Sequence, residues 1–188
     1  FDPPHLAHRA LAEVALSQLH LDALRVLPTG QAWHKTRQLT PATHRLVMAD
    51  MTFGDLAGVV LDDREIRREG PSYTLDTLRE LHVEHPQAEL YLIMGKDQAD
   101  VLPSWRNWQE IVQLAIICVA DRDGLTGEET RFTPPAEMAS RFRKLLMPPM
   151  NISATGIRAR VASQQGIAPL VSEPVARYIE THHLYATA

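Results

Sequence analysis

The chain has 188 residues, 45% of them hydrophobic and 22% charged, values that suit one compact domain with its own core. A formal net charge of −4 excludes a nucleic-acid binder whose affinity comes from a broad basic surface. The single cysteine, Cys118, can form no internal disulfide, no apolar run approaches membrane-spanning length and no signal peptide is visible, so a reducing cytoplasm is the expected compartment.

Helical and strand-like segments alternate along the chain. Periodicity predicts a helix over 9–19 and a short strand over 23–27, ending at Pro28. Thr40 is expected to cap a helix that has Pro41 at its first position and runs to Met51. Residues 59–61 read as a strand, and Ser72 opens a helix that stops before Pro86. A strand over 90–94 runs into Gly95, a helix covers 105–114, and 116–120 is a buried strand around Cys118. The stretch 122–150 is rich in Pro, Gly and charge and is expected to be a long surface excursion. Helices over 155–163 and 175–182 close the chain.

The pattern is α/β: a doubly wound, mostly parallel sheet with helices on both faces, in a single domain spanning 1–188. Right-handed crossovers place the loops after the strands along one edge, where chemistry gathers.

The first eight residues carry a specific arrangement. His5 and His8 stand three apart, after Asp2-Pro3-Pro4 and ahead of an apolar helical run. At that spacing both imidazoles can lie on one side of a first helical turn, where free backbone N–H groups and the helix dipole favour an anion. On these residues alone, a phosphate clamp and two surface histidines fit equally well. Downstream, Ser153 is a good N-cap, with Thr155 and Arg158 in the turn that follows. Two hydroxyls and a planar guanidinium again describe a polyphosphate site, although a lone Ser-x-Thr-x-x-Arg is more often a helix cap beside a solvated arginine.

Together, Phe-Asp-Pro-x-His-x-x-His and Ile-Ser-x-Thr-x-Ile-Arg resemble the paired signatures of the nucleotidylyltransferase superfamily. Gly70-Pro71-Ser72-Tyr73-Thr74-Leu75-Asp76-Thr77-Leu78, Gly95-Lys96-Asp97 and Leu102-Pro103-Ser104-Trp105 narrow the resemblance to bacterial nicotinate-nucleotide adenylyltransferases. The closing Leu170-Val171, Pro174-Val175, Tyr178-Ile179 and Leu184-Tyr185 agree with it. Two departures stand out. The family begins with a hydrophobic strand and a Gly-Gly-Thr/Ser turn before Phe-Asp-Pro, neither of which is in this sequence, so the domain is expected to be shortened at its N-terminus and to lack its first strand. Ala7 stands where the family motif has Gly, and its methyl is expected to crowd the nucleotide slightly.

The resemblance implies a Rossmann-like fold and transfer of the adenylyl group of ATP to nicotinate mononucleotide, giving nicotinate adenine dinucleotide and pyrophosphate. It implies His5 and His8 as catalytic residues on the ATP phosphates. Phe1, Asp2, Gly95, Asp97, Ser153, Thr155 and Arg158 would complete the ATP site. On the acceptor side Trp105 would stack on the nicotinate ring and Thr74 would meet its carboxylate, while His34, Lys35 and Arg45 would reach the 5′-phosphate. Asp97 serves equally as a helix cap, Trp105 as a core residue beside Trp108, and the His34-Lys35 pair as solvated charges. Mg2+ is expected to bind mainly through the ATP phosphates, with few or no protein ligands of its own. Partners are the two nucleotides, with no nucleic acid and no membrane, and self-association is left open. Alternatives are a sister adenylyltransferase acting on nicotinamide mononucleotide or phosphopantetheine, and a non-catalytic adenylate-binding relative. The remaining histidines, at 20, 44, 82, 85, 182 and 183, are assigned no role.

Overall fold

The computed structural model describes residues 1–32, 39–121 and 132–186. In chain order the elements are α1 (Leu6–Leu19), β1 (Leu24–Val26), β2 (Gln31–Ala32), α2 (Ala42–Phe53), β3 (Val59–Leu61), α3 (Arg64–Arg67), β4 (Pro71–Ser72), α4 (Thr74–Glu84), β5 (Leu90–Gly95), α5 (Lys96–Val101), α6 (Trp108–Leu114), β6 (Ala115–Asp121), β7 (Phe142–Leu146), α7 (Ala154–Ala162) and α8 (Glu173–Thr181). Short 3-10 turns cover Leu102–Ser104 and Ala136–Arg141. The chain forms two compact units, Phe1–Pro71 with Met150–Ala188, and Ser72–Pro149.

In the first unit β1 and β3 pair in parallel, Leu24 beside Val59 and Val26 beside Leu61. Helix α2 carries two apolar faces. Ala49 and Phe53 pack with Ala12 of α1 and Val26 of β1, while Met48 packs with Ile157 of α7 and with Val175 and Ile179 of α8. Arg9 of α1 reaches the last turn of α2, donating to the Thr52 carbonyl at 2.8 Å and to the Asp55 carboxylate. A cation there also complements the negative end of the helix dipole. Ile157 is fully buried, and that burial seats the start of α7 against α2.

The second unit is a parallel three-stranded sheet in the order β5-β6-β7. Strand β6 reads Ala115-Ile116-Ile117-Cys118-Val119-Ala120, nearly continuous apolar sequence, as expected of a central parallel strand covered on both faces. Leu75 and Leu78 of α4 and Ile111 and Val112 of α6 close over Met94 and Ile117. Cys118 is fully buried, and burial pushes its thiol pKa up to about 11, which leaves it an inert apolar side chain. Among the described residues no helix is long and apolar enough to cross a membrane.

Several boundaries differ from the sequence reading for physical reasons. The 122–150 stretch contains β7, an edge strand whose Arg143 and Lys144 are exposed while Leu145 is buried, so its period was hidden by charges that suit an edge. Ser72 does not cap α4; it sits in β4, 5% exposed, and Tyr73 precedes the helix. Helix α6 starts at Trp108 instead of 105, because Pro103 lies in a 3-10 turn and Asn107 adopts a left-handed φ of 50°. Helix α2 has Pro41 as its N-cap; Thr40 lies outside it and has another task.

Replacing Ile117 with Ala should lower stability by about 2–5 kcal/mol, the usual cost of a cavity at a site that cannot collapse. Urea unfolding is the check. An unchanged midpoint would remove Ile117 from the load of the central strand.

Candidate active site

Both sequence signatures fall in the first unit, each at the N-terminus of a helix. His5 is the extended N-cap of α1 and is 3% exposed, and His8 lies one turn on and is partly exposed. Their rings stack, with centroids 3.6 Å apart and planes 20° from parallel, and Phe1 meets His8 edge-on at 4.8 Å. The His5 backbone N–H donates to His8 Nδ1 at 3.2 Å. Because a backbone amide can only donate, Nδ1 is the acceptor, and neutral His8 carries its proton on Nε2. The ring is thereby held with its second nitrogen as a hydrogen-bond donor.

Not every expectation of this helix start survives. The Leu6 N–H donates to the Leu170 carbonyl at 3.0 Å, so the first amide of α1 serves the fold and is not offered to an anion. Ala7 is 3% exposed and belongs to the buried face of α1.

At α7 the cap is as expected. Ser153 Oγ accepts from the Gly156 N–H at 3.1 Å, which leaves the hydroxyl proton for a partner outside the helix. A Cβ on Gly156 would lie 3.2 Å from that oxygen, so glycine permits the close approach. Thr155 and Ser153 are exposed. Arg158 donates through Nη2 to Thr155 Oγ1 at 3.0 Å and through Nη1 to the Asp2 carbonyl at 2.9 Å. Two bonds to separate terminal nitrogens set the plane of the guanidinium.

Asp2 therefore joins the two helix starts. It is 3% exposed, so its carboxylate belongs to the interior behind the histidines. Oδ1 accepts from the Tyr185 hydroxyl at 2.7 Å and Oδ2 from the Thr40 N–H at 3.4 Å. Burial, with the Asp2 charge adding to it, drives the Tyr185 pKa far above the usual phenol range, while a hydrogen bond with Thr40 and the nearby Arg158 act the other way. Sequence reasoning missed the partnership of Asp2 with Thr40 and Tyr185. No local pattern could have revealed it, since Tyr185 lies 183 residues from Asp2.

Arg45 is 2% exposed, with Nε donating to the Thr40 carbonyl at 2.9 Å and Nη2 to the Gly30 carbonyl at 3.3 Å. It braces the two flanks of the segment that contains His34 and Lys35, which lie outside the described residues. In the second unit Gly95 is the N-cap of α5, and a Cβ there would fall 2.7 Å from Asp97 Oδ1, so a side chain at 95 would require the exposed Asp97 carboxylate to move. Asp97 is exposed and accepts from Gln98 at 2.8 Å. Thr74 is the first residue of α4, and Trp105 is half-buried, packed against the core of its unit.

Chemically, the first unit offers two imidazoles, two hydroxyls and an oriented guanidinium, a donor set that fits phosphate oxygens. Among the described residues no group of three or more His, Cys, Asp or Glu side chains could hold a metal ion. The Asp2 carboxylate accepts from Tyr185 and Thr40.

Residues 1–160 match the cytidylyltransferase-like family. A probable nicotinate-nucleotide adenylyltransferase of Albidiferax ferrireducens is 60% identical over 188 residues, taking in 100% of this chain and 95% of the relative. Another, of Methylibium petroleiphilum, is 45% identical over 193 residues, with 99% of this chain and 89% of the relative covered. Among solved structures, the Plasmodium falciparum nicotinic acid mononucleotide adenylyltransferase complexed with NaAD superposes with a TM-score of 0.81 at 18% identity, covering 100% of this chain and 94% of that one. At that identity the likeness speaks for the fold: a Rossmann-like α/β arrangement.

Proposed function

This chain belongs to the cytidylyltransferase-like family, and within it to the nicotinate-nucleotide adenylyltransferases, and we propose that His5, His8, Ser153, Thr155 and Arg158 hold ATP while its adenylyl group passes to nicotinate mononucleotide. The products are nicotinate adenine dinucleotide and pyrophosphate, a step of NAD biosynthesis. A phosphate oxygen of the mononucleotide forms a bond to the α-phosphorus of ATP as the bond from that phosphorus to the oxygen bridging to the β-phosphate breaks. The electron pair leaves with pyrophosphate, so no enzyme nucleophile is needed. Catalysis is then alignment in line plus stabilisation of the charge that develops on the oxygens.

The observation that carries this reading is the hydrogen bond that orients the ring of His8. With Nδ1 accepting from the His5 backbone, Nε2–H of the neutral ring is the group that would donate to an α-phosphoryl oxygen as charge builds there. Arg158, its plane set by Asp2 and Thr155, suits the β- and γ-phosphates with Ser153 and Thr155, and so steadies the leaving group. Asp2 acts from behind as the support of this pair. The family is usually dependent on a divalent cation. Mg2+ would be carried on the phosphate oxygens, which these donors would hold, and would supply charge neutralisation for the departing pyrophosphate.

In the second unit, Trp105 supplies an aromatic surface for the nicotinate ring, Thr74 at the start of α4 a hydroxyl for its carboxylate, and Gly95 with Asp97 a short helix start for the ATP ribose. The pair His34-Lys35 supplies cations for the acceptor phosphate, and Arg45 holds the flanks of their segment. The reaction is tested by pyrophosphate release from magnesium-ATP with nicotinate mononucleotide, with nicotinamide mononucleotide as the competitor substrate. Faster turnover of the amide would give the acceptor assignment to the sister enzyme.

Two variants sharpen the roles. His8→Ala should lower kcat by on the order of a hundredfold to a thousandfold while ATP affinity changes far less, since the lost donor acts on transition-state charge. A kcat within about threefold of wild type, under 1 kcal/mol of barrier, would end that assignment. Trp105→Ala should raise the KM for nicotinate mononucleotide about tenfold or more, as ring stacking is worth about 1–3 kcal/mol per base in nucleic-acid complexes. An equal rise in the KM for ATP would return Trp105 to the core.

A further inference from the structure

Tyr185 is not next to a phosphate-binding residue in sequence and carries no role in the transfer as described. Its hydroxyl nevertheless donates to Asp2 Oδ1 at 2.7 Å, across 183 residues of chain. Asp2 is the residue from which both halves of the phosphate clamp are hung. Its carbonyl fixes Nη1 of Arg158 at 2.9 Å, and three residues on, His5 caps α1 and locks the ring of His8. The carboxylate itself is buried, and the donors that face it include the Tyr185 hydroxyl and the Thr40 N–H. Burial raises the phenol pKa well above its ordinary value, which favours the protonated, donating form of Tyr185.

A strut that served stability alone could attach anywhere on the unit. This one attaches at the residue whose displacement would tilt the guanidinium and shift the first turn of α1 together. We propose that Tyr185 is a positioning residue for the nucleotide site: acting through Asp2, it sets the alignment of His5, His8 and Arg158. The inference rests on the reading of those three residues as the ATP clamp.

The test is Tyr185→Phe, which keeps the ring and removes the hydroxyl with its bonds to Asp2 and Thr40. Hydrogen bonds to charged groups are strong enough that losing one should weaken magnesium-ATP binding, measured by direct titration without acceptor, by about tenfold. The kcat should fall by a similar factor, while the KM for nicotinate mononucleotide stays within about twofold. Melting curves first establish a temperature at which wild type and variant are both folded. A lowered Tm with ATP affinity and kcat unchanged would overturn the proposal and leave Tyr185 a strut; an equal loss in acceptor KM would overturn it too. Asp2→Asn, which turns an amide donor or a weaker acceptor toward Tyr185 and Thr40, should give the same ATP-selective loss, and it decides the matter if Tyr185→Phe does not fold. In the double variant the losses should be far from additive, whereas additivity would show that Tyr185 does not act through Asp2. The titration also separates two failures. Wild type that binds magnesium-ATP, loses that binding on Tyr185→Phe and yet leaves nicotinate mononucleotide unreacted overturns the acceptor assignment and supports the positioning role.

Discussion

A carboxylate is costly to place in a protein interior, and Asp2 is such a group at the point where segments around residues 40, 158 and 185 converge. An isolated charge in an apolar medium is worth several kcal/mol of destabilisation unless hydrogen bonds replace its water. At Asp2 a phenol from residue 185 and an amide from residue 40 provide them, and its main-chain carbonyl takes a guanidinium from residue 158. Segments far apart in sequence thus meet on one side chain. Through its carbonyl the same residue ties the segment ahead of α1 to the first turns of α7.

The apolar packing of the first unit cooperates with this polar node. Ile157 and Met48, both fully buried, seat α7 on α2, and the adjacent Arg158 has little freedom except at its tip. Fully burying one such side chain contributes about 1.5–3 kcal/mol. The core thus fixes the helix and the node fixes the guanidinium. Precision at a phosphate site needs both, since a misplacement of about 1 Å can cost about a hundredfold in rate.

Much of this was legible in the sequence, and unevenly so. Strand β3 fell on the residues expected of it, and β5 and β6 within a residue, because continuous apolar runs bounded by polar segments leave little choice. The Ser153 cap was legible because its logic is local: a hydroxyl meets an amide three residues on. Strand β7 was not, since Arg143 and Lys144 mask it, nor was α5, six largely polar residues with no period to read. At the candidate site the residue types and their spacing were plain. What the spacing could not convey was burial. Asp2 and Arg45, grouped in the sequence with the binding residues, are buried on partners such as Tyr185 and Gly30 that are remote or unremarkable in sequence.

Arg45 has an implication for how such an enzyme can change over generations. By gripping the carbonyls of Gly30 and Thr40 it ties α2 to both. A smaller side chain at this position would leave two carbonyls without that donor, and a buried polar group left unpaired costs about 1–3 kcal/mol. The fold itself therefore holds position 45 to an arginine, whatever chemistry a ligand demands nearby.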